Sequence, residues 1–319
     1  MAKGHTEKVN APMTEEEFDQ LFNDVSNWGR WGEADEIGTL NYLTPEMVKA
    51  AAALVRSGQT VSMSRPVNTL PAADNPNPAT HLMVRTYDVP GPGSQPRSVA
   101  DYLGSPIHGD ANSHLDALCH VAYKGRLYNN RPLTTVTSQG AEKMDVTAYA
   151  RGIVGRGVLL DITRVRGTRW LEPGDAVTTE DLLAAEHAQG VRLGEGDLFV
   201  FRVGHTLRRK ELGPWDVGPT GPGRSGLHPT AMRFLHERKI AAFLPDGDGE
   251  TFPGSVAGVA YPVHALQIGA MGLACGDSLE LEELADMCQR EGRWEFMVSM
   301  APLRLPRGTG SLVNPIAIF

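Results

Sequence analysis

The sequence contains only three cysteines among 319 residues, and no two of them form a CxxC pair. An odd number of cysteines without such a pair fits a reduced intracellular protein better than a disulfide scaffold. The chain also lacks any cluster of basic residues interleaved with aromatic residues, and its formal net charge is -8. These absences argue against nucleic acid as a partner.

Long apolar runs are missing as well. The first twenty residues are polar and acidic, without the apolar core that a signal peptide needs. Nowhere does the chain approach the roughly 18 consecutive apolar residues of a membrane span. We therefore expect a cytoplasmic protein with no membrane partner. Residues 1–12 are polar and unpatterned, which predicts a disordered N-terminal tail.

Helical and strand patterns interleave along residues 13–319. Thr14 and Glu17 have the form of a capping box and predict a helix that ends before Trp28. Thr44 and Pro45 predict the start of a second helix, which Gly58 ends. Further strands are predicted near residues 61–64, 81–89, 157–163, 196–205, 240–244 and 297–305, and further helices near 179–189, 229–238 and 281–290. With no repeat and no linker, the pattern predicts a single α/β domain over 13–319.

The stretch from Asp110 to His120 holds a dense set of ionisable residues. In an extended conformation its even-numbered side chains share one face, and these are Asp110, Asn112, His114, Asp116, Leu118 and His120. Small or apolar residues occupy the other face. Burying this much charge is costly unless the charges are paired with other ions or with a metal. An imidazole with two carboxylates is a plausible set of ligands for a divalent transition metal. The alternative is a loop in which these residues are solvated or paired with one another. A helix fits less well, because it would turn Asp116 away from the face of Asp110 and His114.

The same stretch resembles the signature His-x-Gly-Thr-His-x-Asp-x-Pro-x-His of the metal-dependent cyclase-like hydrolases, which include bacterial kynurenine formamidase and isatin hydrolase. Three positions of the signature are identical here: His114, Asp116 and His120. Ser113 stands for the threonine, Asn112 for the glycine and Leu118 for the proline. Asp110 stands where the family has its first histidine. His108 is two positions out of register for that histidine, unless a local bulge brings it in.

Other segments carry the resemblance over most of the chain. Residues 31–45 are similar to the N-terminal segment of the longer bacterial members, and residues 196–204 resemble a strand that lines their site. Asp246 stands where the family ends a strand in an aspartate. His264, followed by Asp277, resembles the segment that supplies the late metal ligands.

The resemblance implies a swivelling β/β/α fold with a mixed sheet and flanking helices, and a homodimer or homotetramer. It implies a divalent metal, Mn²⁺ or Zn²⁺. The implied ligands are Asp110, His114 and Asp116, with His264 and Asp277 as further ligands or as hydrogen-bond partners of ligands. A carboxylate in place of the first histidine would favour the harder ion, Mn²⁺. The alternative for His264 is a core histidine that caps a helix carbonyl.

The implied reaction is hydrolysis of a small cyclic or aryl amide, formamide or lactone by a water that the metal activates. Amide and lactone remain alternatives, because the metal-dependent step is common to both. His120 is the expected catalytic residue, placed to carry a proton to the leaving group. The expected substrate-binding residues are Trp31, Tyr128, Arg202, His205 and His228. The alternative for both of these histidines is a surface position without a role.

Two other classes of function remain open. The departures at Asp110 and Asn112 are compatible with a metal-free small-molecule-binding protein or a degenerate family member, which metal content would distinguish from the enzyme. A lyase or cyclase that polarises a carbonyl with the same ion would form product without incorporating water. An exposed apolar C-terminus at 314–319 and a Trp/Gly segment at 28–41 indicate an oligomer.

Overall fold

The computed structural model describes residues 12–88, 93, 98–218 and 220–319, so the predicted tail lies outside the described residues except for Pro12. Its helices are α1 (Glu15–Asp24), α2 (Pro45–Ala52), α3 (Ile162–Arg166), α4 (Thr179–Gln189), α5 (His205–Leu212), α6 (Ala231–Glu237), α7 (Pro262–His264, continued by a π-helical segment Ala265–Met271) and α8 (Glu282–Glu291). Short 3₁₀ segments cover Gly38–Tyr42, Tyr128–Asn130, Leu133–Thr135 and Val146–Tyr149. In the described part of the chain, no helix is long and apolar enough to cross a membrane.

The strands of the described residues fall into one large sheet and several small ribbons. They are β1 (Thr60–Ser62), β2 (Thr80–Arg85), β3 (Ala100–Gly104), β4 (His114–Asp116), β5 (Arg126–Leu127), β6 (Arg131–Pro132), β7 (Val136–Thr137), β8 (Gly140–Ala141), β9 (Ile153–Asp161), β10 (Ala176–Val177), β11 (Leu198–Arg202), β12 (Gly226–Leu227), β13 (Ala242–Pro245), β14 (Ala274–Asp277), β15 (Glu295–Met300), β16 (Gly310–Leu312) and β17 (Ile316–Ile318).

Within the described residues, nine strands form the main sheet in the order β1-β17-β15-β9-β11-β13-β14-β4-β16. Its centre, β9, β11, β13 and β14, is parallel, and antiparallel strands flank it on both sides. Alternate residues of β11 enter two different apolar cores: Val200 packs with α8, whereas Phe199 and Phe201 pack with α1, α4 and α6. Helices therefore cover both faces, which explains why the central residues of the parallel strands, 158–160, 198–201 and 242–244, are all apolar. The predicted single α/β domain with a mixed sheet and flanking helices is confirmed.

Local signals placed several helix ends correctly. Thr14 accepts a hydrogen bond from the backbone N–H of Glu17, whose carboxylate accepts one from the N–H of Thr14, so the predicted capping box forms. Gly190 ends α4 in the left-handed conformation, at a φ of 64°. α2 begins at Pro45 as predicted but ends at Ala52, before Gly58.

The apolar C-terminus is buried, so the expectation of an exposed one was wrong. β17 pairs with β1 and β15, and the Phe319 side chain is fully buried against Phe296. Trp28 is half-buried, donates its indole N–H to the carbonyl of Gly269 and packs edge-on against Phe22. Both segments therefore complete this chain's own core, and the homodimer or homotetramer stays a prediction.

Candidate metal centre

The register of β4 and β14 gathers the ionisable residues. β4 lies between β14 and β16, with Asp116 opposite Cys275 and His114 opposite Asp277. Because alternate residues of a strand share a face, these four side chains lie on one side of the sheet. All four are less than a tenth exposed. Burial of charge in the central stretch is thus correct for His114 and Asp116, for which a solvated loop is excluded, whereas Asp110 and His120 are only partly buried.

One set of possible metal donors is closed off from solvent, and we call it the buried donor group: Asp116, His264, Cys275 and Asp277. Each residue offers one ligand atom, and these atoms all lie within 4.8 Å of one another. His264 Nε2 is 3.1 Å from Asp277 Oδ2, and Cys275 Sγ is 3.1 Å from Asp277 Oδ1. Nitrogen, sulfur and carboxylate oxygen are the donors that transition metals take in proteins.

A second set, which we call the open donor group, consists of His108, Asp116 and His120. His108 Nδ1 is 2.8 Å from Asp116 Oδ1, and His120 Nε2 is 3.9 Å from Asp116 Oδ2. The two imidazole rings stack in parallel, with their centroids 3.5 Å apart. Their side chains are 27% and 30% exposed, so this group faces solvent.

Asp116 belongs to both groups, and one of its oxygens lacks a partner. Its Oδ2 is buried, and among the described residues no group donates a hydrogen bond to it. A buried carboxylate oxygen without a partner is costly and calls for an explanation such as an ion. His114 Nε2 lies 3.5 Å from the other oxygen, Oδ1.

Two buried histidines are oriented as metal ligands usually are. His114 donates its Nδ1–H to the carbonyl of Asn112, at 2.9 Å, which leaves Nε2 facing Asp116. His264 Nδ1 lies 3.0 Å from Glu250 Oε1, which leaves Nε2 facing Asp277. A carbonyl or carboxylate on one ring nitrogen fixes the tautomer and directs the other nitrogen at the metal. The site therefore holds preoriented nitrogen donors.

The protonation states suit a cation. Burial lowers the pKa of His120 to about 4, which keeps the imidazole neutral. Burial by itself would raise the pKa of Asp116, but the hydrogen bond with His108 and the nearby imidazoles hold it well below its usual range. The carboxylates of Asp277 and Glu250 raise the pKa of His264 above its ordinary value against the effect of burial. Neutral imidazole and ionised carboxylate are the forms that bind metals, so the states of His120 and Asp116 suit a cation, whereas His264 would have to release a proton when a cation binds.

Comparison with known proteins shows the family of this chain. The sequence profile of the Cyclase family matches residues 101–248. A crystal structure of a novel cyclase is 31% identical to this chain, covers 92% of it and 99% of its own chain, and superposes with a TM-score of 0.81. The chain belongs to the cyclase family.

Two isatin hydrolases are also similar to it. That of Roseibium aggregatum is 28% identical over 147 residues, which is 45% of this chain and 53% of that protein, so the match spans about half of the relative. The structure of isatin hydrolase A from Ralstonia solanacearum is 21% identical with a TM-score of 0.58, covers 86% of this chain and 97% of its own, and shares the fold. The predicted family resemblance is confirmed.

The signature aligns its first histidine with Asp110, but in the structure it is His108 that belongs to a donor group. His108 contacts Asp116, because the irregular segment before β4 turns at Gly109, whose φ of 138° favours glycine. Asp110 lies outside both donor groups, and its Oδ1 is 3.4 Å from Arg224 Nη1. Arg224 also binds Asp248 at 2.9 Å. Asp110 as a metal ligand stays a prediction, whereas the irregular segment does bring His108 to Asp116.

Two of the expected substrate-binding residues have contacts that explain them without a substrate. Arg202 is buried, with its guanidinium 2.9 Å from Asp161 Oδ1 and 2.6 Å from Glu282 Oε2, so it ties β11 to β9 and α8. Trp31 is half-buried and packs edge-on against Tyr42. Neither residue is in a donor group of the described chain. Their proposed role in substrate binding stays a prediction.

The other three expected substrate-binding residues are buried. Tyr128 is fully buried and donates its hydroxyl hydrogen to Asp35, which holds the N-terminal segment on the core. His205 packs against Trp215, with ring centroids 4.8 Å apart. Burial lowers the pKa of His228, and its Nε2 has no hydrogen-bond partner among the described residues. The alternative that these histidines lie on the surface is wrong, and a role toward substrate stays a prediction.

Sequence reasoning missed two residues of the centre. Cys275 precedes Asp277 by two, which repeats the spacing of His114 and Asp116, and this repeated alternation was a signal that both strands present donors. Glu250 is the second residue. It is 1% exposed and accepts hydrogen bonds from the backbone N–H groups of Val263 and His264, as well as contacting the His264 ring.

Proposed function

We propose that this cyclase-family protein is a metal-dependent hydrolase that opens or cleaves a small cyclic or aryl amide, formamide or lactone. The observation that carries the proposal is Asp116, a buried carboxylate shared by two groups of metal donors, with one oxygen left unpartnered. Its family membership and its similarity to isatin hydrolase support the hydrolytic reaction. We further propose a cytoplasmic homodimer or homotetramer.

The residues of the centre fit a divalent cation, which we propose to be Mn²⁺ or Zn²⁺. His108, His114 and Asp116 would hold a cation on the open side. Asp116, His264 and Asp277 would hold one on the buried side. When bound, the cation supplies Lewis acidity, which polarises a carbonyl group and lowers the pKa of a water. Glu250 keeps the His264 ring oriented toward this position.

His120 is the residue that we propose moves the proton. Its imidazole is neutral near pH 7, partly exposed and stacked on His108, so one ring nitrogen is free to accept a proton from the attacking water. The same nitrogen then donates the proton to the leaving amine or alkoxide. A cavity of about 250 Å³, lined by residues 74–77 and 106–112, opens beside His108 and suits a small substrate.

A substrate panel tests the proposal. The metal-loaded protein is incubated with isatin, an aryl formamide and an aryl lactone in water enriched in ¹⁸O. We expect at least one substrate to be hydrolysed with uptake of the label, and a chelator to abolish the reaction. No turnover of any of the three by protein shown to contain metal would contradict the proposal. Product without label would identify a lyase or cyclase.

Replacing His120 by alanine is expected to lower kcat by about 10²- to 10⁴-fold on an amide, the usual contribution of a general acid–base residue. The loss on a matched ester is expected to be at least about tenfold smaller, because an alkoxide needs less help to leave than an amine. Rates on the ester and amide of one acid, measured with wild type and variant at equal metal content, give the comparison. Equal losses of kcat on the ester and the amide would show that His120 does not protonate the leaving group.

A further inference from the structure

Cys275 occupies a position in the centre that the family signature does not explain. It lies on β14 directly opposite Asp116 of β4 and on the same face as Asp277. Its side chain is fully buried, and its Sγ is within 4.8 Å of the ligand atoms of the other three residues of the buried donor group. The ligands that the resemblance implies include no cysteine.

The other two cysteines provide a contrast. Cys119 and Cys288 are also free and buried, and all three cysteines pack in the same apolar core, so burial alone does not distinguish Cys275. All three cysteines lie in the described part of the chain, and within it only Cys275 belongs to a donor group. Its place among two carboxylates and an imidazole is therefore a property of this position and not of buried cysteines in general.

The composition of the buried donor group matches a closed zinc site. Zinc takes four ligands at about 2.3 Å for sulfur and 2.0–2.2 Å for nitrogen and oxygen, which places ligand atoms about 3.3–3.8 Å apart. The two distances from Asp277, 3.1 Å to Nε2 of His264 and 3.1 Å to Sγ of Cys275, are slightly shorter than this. The unpartnered Oδ2 of Asp116 provides an independent sign of a missing positive partner.

We propose that Cys275 supplies a thiolate to a Zn²⁺ ion held in the buried donor group, and that this thiolate makes the position prefer Zn²⁺ to Mn²⁺. Binding forms a sulfur–zinc bond and releases the thiol proton to solvent. Soft sulfur ligands favour zinc, whereas Mn²⁺ prefers oxygen. The ion joins β4, β14 and α7, while His108, His114 and Asp116 remain the ligands that we propose for the hydrolytic cation.

The inference rests on the proposed function in one respect, namely that a metal binds at this centre. Co²⁺ distinguishes metal binding at this centre from thiolate ligation by Cys275, because it occupies zinc sites and absorbs visible light. Metal-stripped wild-type protein is titrated with Co²⁺, and its absorption is recorded. Visible ligand-field bands report that the ion is bound at all. A near-ultraviolet charge-transfer band reports that a thiolate is one of its ligands.

We expect both features in the wild type, with the charge-transfer band saturating at about one Co²⁺ per chain. The band is expected to disappear in Cys275→Ser and to persist in the matched control Cys288→Ser. Ligand-field bands without charge transfer in the wild type would overturn the thiolate ligand and leave the metal-dependent hydrolase standing. No bound Co²⁺ at all would overturn both. The wild-type spectrum decides the matter even if Cys275→Ser does not fold.

Metal preference provides a second readout that does not depend on activity. Wild type and Cys275→Ser are dialysed to equilibrium against mixtures of Zn²⁺ and Mn²⁺, and their metal contents are measured by elemental analysis. We expect the zinc preference of the variant to fall by at least about tenfold, since even groups that only hydrogen-bond to a ligand change affinity on that scale. An unchanged zinc-to-manganese ratio would contradict the proposed selectivity.

Discussion

Asp116→Asn is expected to abolish metal binding and to lower kcat/KM by at least about 10³-fold, the scale of loss for residues on which a catalytic centre depends as a unit. Asparagine keeps the shape of the side chain but is neutral, and it replaces one of the two carboxylate oxygens by an NH₂ group that cannot bind a cation. Both donor groups contain Asp116, so a single substitution disrupts both. Elemental analysis of the purified variant and its rate on the best substrate of the panel provide the measurement.

Asp110→Asn is the matched control. Asp110 is also an aspartate of the central stretch, but its carboxylate faces Arg224 and lies outside both donor groups. We therefore expect this variant to keep its metal. Equal loss of metal in both variants would restore Asp110 as the ligand that the signature implies. Full metal content in Asp116→Asn, with unchanged circular dichroism, would contradict the shared role of Asp116.

The core of the site could be predicted because it obeys a short-range rule. His114 and Asp116 are separated by one residue, and in any extended segment such a pair points the same way. Only His114–Asp116 forms a strand, so the alternation extends over less of the stretch than the sequence indicated. The rule still predicts that His114 and Asp116 share a face, because β14 and β16 pair with that short segment on both sides and keep it extended.

The rest of the site depends on contacts that no local pattern encodes. Cys275 and Asp277 reach the centre because β14 pairs with β4, which lies far earlier in the chain. His108 reaches Asp116 only through an irregular turn at Gly109. Periodicity describes regular elements, so it misses both a bulge and the choice of a strand partner.

Tertiary contacts also explain a missed helix. The sequence predicts no helix directly after β11, yet α5 begins there at His205. In α5, His205 and Thr206 are buried, and Gly204 at its start has no side chain to cap it. The carboxylate of Asp246, at the end of β13, accepts the N–H groups of Val203, Gly204 and His205 instead. A cap that comes from another strand cannot be read from the helix's own residues.

Removing this cap is expected to destabilise the fold by about 3–5 kcal/mol in Asp246→Ala, because three backbone donors would lose their acceptor in a buried place. Asp246 is fully buried, so water cannot replace the carboxylate without rearrangement. Asp246→Asn is expected to cost less, about 1–3 kcal/mol, since one amide oxygen still accepts while the amide NH₂ faces an N–H.

The free energies of unfolding are to be measured by urea titration of metal-stripped proteins, so that ligand binding does not contribute to the difference. Burial raises the pKa of Asp246 to about 7. The titrations are therefore run above about pH 8, where the wild-type carboxylate is ionised. Asp286→Asn, an exposed position on α8, is the control and is expected to stay within about 0.5 kcal/mol of wild type. If Asp246→Ala is no less stable than this control, Asp246 does not hold α5 in place, and the strand ends that frame the metal centre must be fixed by other contacts.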